Sequence, residues 1–336
     1  METIIFGIAL LTKFNWDRFL PCDFDPERDM VDLHGKVAVV TGANTGIGFA
    51  TARHLARKGA RVYLACRNER KANEAIQELE KDEKVAQNGE IRFVQLDLAD
   101  FASAKRASAE ILAKEERLDI LVNNASLLVS EKPKYIHGIL DYMAVNHFGP
   151  FMFTQALLPL LKKTSLLPES DVRIVFVSSD AHLRVPQDIR FRNLEDVNVD
   201  YTSMPLDYYS RACKYANVLY AKELQRRLDK ENSRISVLSL HPGNVNTFAD
   251  ATPCPRLSNL LMPWIFMSPD VGSYTTLFAA ASPLVKEQPE VFKGAYLGPI
   301  AKLGKASDNA EREDLGGELW DTTESVLKRI DAGELD

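Results

Sequence analysis

Between residues 37 and 48 an apolar, β-branched run, Val37-Ala38-Val39-Val40-Thr41, passes directly into Gly42-Ala43-Asn44-Thr45-Gly46-Ile47-Gly48, and the chain then takes up a helical pattern. Glycines at such a junction permit a tight turn. They also clear a path for a pyrophosphate to reach backbone N–H groups at the positive end of the helix. A glycine-rich loop alone is a weak signal; the strand-turn-helix setting restricts the chain to architectures in which strands feed helices that cover a parallel sheet.

The remaining sequence repeats that alternation. Short runs at Arg61 to Ala65, Ile91 to Leu96, Ile120 to Asn123, Arg173 to Val177, Ile235 to Leu240 and Ala295 to Leu297 read as further strands. Helical stretches lie between them at Gly46 to Lys58, Glu69 to Lys81, Ala102 to Glu115, Tyr142 to Leu161 and Tyr209 to Leu228. Near-continuous apolar strands mark a sheet buried on both faces. The expected fold is therefore α/β: a single Rossmann-type doubly wound parallel sheet of about seven strands with helices on both faces, binding ligands beyond the carboxyl ends of its strands.

A length of 336 residues suggests two domains on a prior of roughly 150 residues each, but one nucleotide-binding domain over 35–300 accounts for most of the chain. The surplus falls in an N-terminal arm (1–34), a long connection (180–208), a Pro-interrupted apolar flap (248–268) and a C-terminal tail (301–336) with an amphipathic helix at Leu315 to Ile330. The flap carries Leu260, Leu261, Trp264, Ile265 and Phe266 and is suited either to closing over a lipophilic ligand or to packing on the surface.

Composition narrows the function. The net charge is −6, from 41 basic and 47 acidic residues, and no Lys/Arg block is long enough to follow a phosphate backbone, so a small-molecule substrate rather than nucleic acid is expected. Cys22, Cys66, Cys213 and Cys254 are far apart, without C-x-x-C or metal-ligand spacing, which points to a reducing, cytoplasmic setting, no disulfide framework and no metal. The apolar stretch 4–11 is shorter than the ~20 residues that cross a bilayer and lacks a basic leader, so it reads as a packed helix. Peripheral membrane contact or a lid at the substrate entrance are the alternatives.

The second strand ends Ala65-Cys66-Arg67. A fold that selects NAD usually carries an acid there to accept the adenosine ribose hydroxyl. Arg67 instead offers a permanent cationic fork for a 2′-phosphate, so NADP (NADPH) is expected, with NAD less favoured.

The spacing T-G-x-x-x-G-x-G over Thr41 to Gly48 resembles the short-chain dehydrogenase/reductase family, and the likeness extends over about residues 33 to 300. Asn123-Asn124-Ala125-Ser126 looks like the family's N-N-A-G, with Ser126 where Gly is more usual. Asn146 resembles its helix asparagine, Ser178-Ser179 its catalytic-serine strand end, and Pro242-Gly243-Asn244-Val245-Asn246-Thr247 its P-G-x-x-x-T segment. Similarity is greatest to the retinol-dehydrogenase-like and WW-domain-oxidoreductase-like branch. It rests on Ala65-Cys66-Arg67, Ser178-Ser179-Asp180-Ala181-His182, Asn193-Leu194, Leu240-His241-Pro242-Gly243 and the segment after Lys214.

The resemblance implies reversible hydride transfer between NADP(H) and a carbonyl/alcohol pair on a lipophilic small molecule. Gly42, Asn44, Thr45, Gly46, Ile47, Gly48, Arg67, Asp97, Leu98, Asn123 and Ala125 would line the cofactor site, together with Lys214, Pro242, Gly243, Val245 and Thr247. Asn146 would support a water, Ser179 would orient the substrate oxygen, and Lys214 would hold the nicotinamide ribose and tune a tyrosine. It also implies a homo-oligomer joined through the helices carrying Asn146 and Lys214. His182 and His241 read as structural.

The pattern breaks at its defining element, Y-x-x-x-K. The chain reads Tyr208-Tyr209-Ser210-Arg211-Ala212-Cys213-Lys214, so Ser210 occupies the tyrosine position and Tyr209 lies five residues before the lysine. On a regular helix that spacing separates two side chains by ~140°. A π-bulge, or a non-helical position at the helix start, would bring Tyr209 to the lysine's face as acid/base. The alternatives are Tyr208 or a water in that role, or a cofactor-binding protein that has lost turnover.

Overall fold

The computed structural model describes residues 24–127, 134–198, 207–245 and 267–335, with residues 207–211 described by backbone alone. The stretch 4–11, Cys22, Cys254, Thr247 and all of the flap up to residue 266 lie outside these.

The sheet has eight strands, β1 (Val37–Thr41), β2 (Arg61–Cys66), β3 (Glu90–Gln95), β4 (Ile120–Asn123), β5 (Arg173–Val177), β6 (Ser236–Leu240), β7 (Tyr296–Gly298) and β8 (Lys302–Gly304). Their order is β8-β7-β6-β5-β4-β1-β2-β3. All neighbours are parallel except β7 and β8, so the sheet exceeds the expected count of about seven by one antiparallel edge strand. β8 is three exposed residues, Lys302-Leu303-Gly304, with no apolar run to announce it.

Alternate residues of the central strands enter different cores, as the pleat requires. Val37 and Val39 face one apolar cluster with helices α3 (Phe101–Lys114), α4 (Gly149–Ser165) and α5 (Asp207–Lys230). Ala38 and Val40 face the other with α1 (Gly46–Arg57), α2 (Glu69–Leu79) and α6 (Tyr274–Ala281). The C-terminal helix α7 (Glu313–Asp331) joins the first cluster through Leu315, Leu319, Trp320, Val326 and Leu327.

One local feature departs from the helices expected. The stretch read as one helix from Tyr142 to Leu161 is α-helical at Asp141–Met143, π-helical at Ala144–Phe148, and α-helical again as α4. The wide turn has identifiable causes. Gly149 N–H donates to Ala144 O, and Pro150 has no N–H to give to the carbonyl of Asn146. Gly149 also lies against Leu98, whose carbonyl oxygen would be 2.5 Å from a Cβ at that position. By contrast α5 is α-helical from Asp207 onward. The π-bulge considered for the Tyr209–Lys214 interval is therefore not there, and on this register position 210 shares the face of Lys214 while position 209 lies ~140° away.

Candidate active site

Parallel strands bring their carboxyl ends to one edge of the sheet. Thr41 pairs with Ala65, Asn123 with Phe176 and Val177 with Leu240, so the segments that follow β1, β2, β4, β5 and β6 emerge side by side.

The glycine-rich turn is built for close approach. Gly42 has φ +65°, and a Cβ there would meet Ala125 Cα and Cβ at 3.0 Å. At Gly48 a Cβ would lie 2.5 Å from Asn124 Nδ2 and 2.6 Å from Gly42 O. Thr41 locks this turn to β4. Its Oγ1 accepts from the N–H groups of Asn124 and Ala125, each at 2.9 Å, and its carbonyl accepts from Asn124 Nδ2 at 2.9 Å. Sequence reasoning passed over Thr41 and Asn124 as bonding residues; the readable signal was a hydroxyl residue ending a buried strand just before a glycine.

Helix α1 begins at N-cap Thr45 with no side-chain cap and no acid in its first turn. The neighbouring α2 and α3 are capped by Asn68 and Asp100. Uncapped N–H groups at the end of a glycine-cleared turn suit a dinucleotide pyrophosphate. Arg67 is exposed, with no ion pair among the described residues, one strand over from that turn. Beside it, burial pushes the Cys66 thiol up to about 11, so Cys66 stays neutral. Asp97 bonds the Ala99 N–H at 2.9 Å, which shapes the turn after β3, and Leu98 is buried under Gly149. Asn123 donates to Thr154 Oγ1 at 3.0 Å. The substituted Ser126 has a shielded hydroxyl without a hydrogen-bond partner among the described residues.

Asn146 clasps the end of the β4 loop in both directions. Its Oδ1 accepts from Leu127 N–H at 2.7 Å and its Nδ2 donates to Leu127 O at 2.9 Å. Lys214 is buried, and its Nζ donates to Val177 O at 3.0 Å. Desolvation brings its pKa down to about 8. Cys213 next to it is buried, and its thiol is pushed up to about 12 by the same cause.

Ser178 Oγ donates to the Lys214 carbonyl at 2.7 Å, a tie between β5 and α5 that sequence reasoning did not foresee. Ser179 is half-buried; its Oγ donates to Asp180 Oδ1 at 3.0 Å and accepts from Ala181 N–H at 3.2 Å. His182 is fully buried, bonded by Nδ1 to Ser179 O at 2.7 Å and by Nε2 to the Ser307 N–H, so it joins this loop to the C-terminal segment. After β6, Pro242 and Gly243 are buried, and Gly243, at φ +92°, lies against Met267. Val245 bridges to Met267. Among the described residues no group of three or more His, Cys, Asp or Glu is placed to hold a metal.

A family model described as short chain dehydrogenase matches residues 36–188. A short-chain dehydrogenase/reductase of Armillaria gallica is 41% identical over 312 residues, covering 91% of this chain and 97% of its own. The chain belongs to the short-chain dehydrogenase/reductase family. It is similar to human retinol dehydrogenase 14, at 36% identity over 313 residues, 88% of this chain and 87% of that one, and falls in the retinol-dehydrogenase-like branch. A crystal structure of an uncharacterized protein from Mycobacterium paratuberculosis has the same fold, with TM-score 0.67, 28% identity and coverage of 89% of this chain and 96% of its own. The family is one of oxidoreductases that act on alcohol and carbonyl groups with NAD(P) cofactors. No described helix is long and apolar enough to cross a membrane.

Proposed function

We propose that this chain is an NADP(H)-dependent oxidoreductase that interconverts a carbonyl and a secondary or primary alcohol on a lipophilic small molecule. The observation that carries the cofactor choice is Arg67: an exposed guanidinium stands where an NAD-selecting site carries an acid, and no described carboxylate neutralises it. A guanidinium grips a phosphate through paired N–H donors, which favours a cofactor with a 2′-phosphate.

The turn from Gly42 to Gly48 and the open N-terminus of α1 would take the pyrophosphate. Asp97, Leu98, Asn123 and Ala125 would line the adenosine and ribose side, and Pro242, Gly243, Val245 and Thr247 the nicotinamide side. When bound, the cofactor supplies or accepts the hydride. Ser179 orients the substrate oxygen. Lys214 holds the nicotinamide ribose, and its positive charge favours the ionised form of a neighbouring phenol. Asn146 supports a water. Its side chain is spent on Leu127, but its carbonyl lies opposite Pro150, which has no N–H to offer.

We assign the proton exchange to Tyr209. Its position on a regular helix is unfavourable, yet it lies in the first turn of α5, whose leading N–H groups have no intrahelical partners. Rewinding that turn by one residue breaks few bonds and restores the shared face with Lys214. A cofactor-binding protein without turnover is the second reading, favoured by Ser210 at the family's tyrosine position. Titrating the protein with NADPH and NADH, then supplying apolar aldehydes and ketones, separates them. Selective NADPH binding followed by oxidation supports the enzyme; equal affinity for both cofactors removes the role of Arg67; binding without oxidation across the panel supports the second reading.

A further inference from the structure

The π-helical turn that carries Asn146 is held from behind by the C-terminal helix. His147, the next residue, is fully buried, and its Nε2 lies 2.8 Å from Thr323 Oγ1 of α7. Thr323 Oγ1 in turn donates its only proton to Leu319 O at 2.6 Å. The hydroxyl can then only accept from the ring, which fixes His147 as the neutral tautomer protonated on Nε2. Nδ1 has no partner among the described residues, so the other tautomer would strand one N–H in an aromatic box formed by Phe148, Phe151 and Tyr220.

Thr323 is not what fixes α7 in place. That helix is anchored independently: Arg190 pairs with Glu318, Thr322 Oγ1 donates to Phe191 O at 2.6 Å, and the Arg227 guanidinium lies 4.2 Å from the Trp320 ring centroid. The segment matched by the family model ends at residue 188, so α7 lies outside it.

We propose that Thr323 is a positioning residue for Asn146, acting through His147 and the π-helical turn Ala144–Phe148. The inference rests on the reading of Asn146 as part of the proton-transfer site, but its physical content is separable from turnover. Two amides report the turn directly: Gly149 N–H, bonded to Ala144 O, and Leu127 N–H, bonded to Asn146 Oδ1.

Thr323→Val keeps the side-chain shape and removes the acceptor of the His147 N–H, whereas Thr323→Ser keeps the hydroxyl. Hydrogen exchange on the full chain should show the amides of Leu127 and Gly149 exchanging about tenfold faster in T323V, with β1 unchanged and protection restored in T323S. Unaltered exchange at Leu127 and Gly149, equal acceleration in β1, or failure of T323S to restore protection would overturn the proposal. With any carbonyl that the wild type reduces, T323V should lower kcat while leaving NADPH affinity unchanged. If the wild type reduces none, the functional reading fails and the exchange result still decides the role of Thr323.

Discussion

Lys214 Nζ donates to the carbonyl of Val177 at 3.0 Å, which ties the middle of α5 to the last residue of the strand that delivers Ser178 and Ser179. The return bond, from Ser178 Oγ to Lys214 O, makes strand end and helix one unit. Ser179 and α5 are thereby held in a fixed frame, and the lysine side chain is kept away from water.

That burial has a pH signature. Lys214 has a pKa of about 8 in the fold against an ordinary 10.5. Between these values the unfolded chain binds more protons than the folded one, so stability rises with pH across the window, by at most about 1.4 kcal/mol per pH unit. Urea denaturation at pH 8 and pH 10 should show wild type gaining stability relative to Lys214→Met. Lys214→Arg should not restore turnover, because a planar guanidinium cannot replace a compact ammonium in a closed site. A flat difference between wild type and K214M would mean that the lysine is charged and hydrated in the fold.

His147 titrates in the same sense at lower pH. Burial pulls it down to about 3 from 6.5, so below pH 6.5 the unfolded state takes up a proton that the folded state refuses. Stability should fall as pH drops from 6.5 to 5 more steeply in wild type than in His147→Gln, measured by thermal or urea melts. Parallel curves would show that His147 is protonated in the fold.

Asn146→Ala removes both bonds to Leu127 and leaves its half-buried main-chain groups without these partners. A stability loss of about 1–3 kcal/mol is expected. Turnover should fall further than cofactor affinity, because the loss is local to the loop that follows β4. Paired denaturation and NADPH-binding measurements check this; an equal loss of both would make Asn146 a cofactor-binding residue.

Most of the strand frame was legible because the central parallel strands β1, β4, β5 and β6 are buried at every position and largely apolar, and each is followed by its motif at the carboxyl end. Family likeness marked Asn146, Ser179 and Lys214 as a set; in the structure Lys214 bonds the end of β5 just before Ser178 and Ser179, and Asn146 clasps Leu127 in the loop after β4. What escaped the sequence depends on partners distant in the chain or on backbone detail. β8 has three exposed residues and no pattern. The π-helical turn arises from Pro150 and from the approach of Gly149 to Leu98, while the apolar periodicity over 142–161 reads as uninterrupted. Thr41 with Asn124, and His147 with Thr323, are pairs that no spacing rule connects.

Cofactor selection should follow the charge at position 67. Arg67→Glu is expected to weaken NADPH binding about a hundredfold while changing NADH binding much less, since a carboxylate repels the 2′-phosphate and can accept from a ribose hydroxyl. Fluorescence titration with both cofactors measures it. Equal weakening of the two would show that Arg67 serves the shared part of the dinucleotide.

Reversible hydride transfer with Tyr209 exchanging the proton, as proposed above, can be followed as NADPH oxidation with an apolar carbonyl substrate in wild type and Tyr209→Phe at matched cofactor saturation. Steady oxidation by the wild type is expected, with a loss of at least about a hundredfold in kcat for Y209F and NADPH affinity retained. Full turnover by Y209F would contradict the assignment of the proton to Tyr209, and NADPH binding without oxidation by the wild type would contradict the claim that this chain is an enzyme.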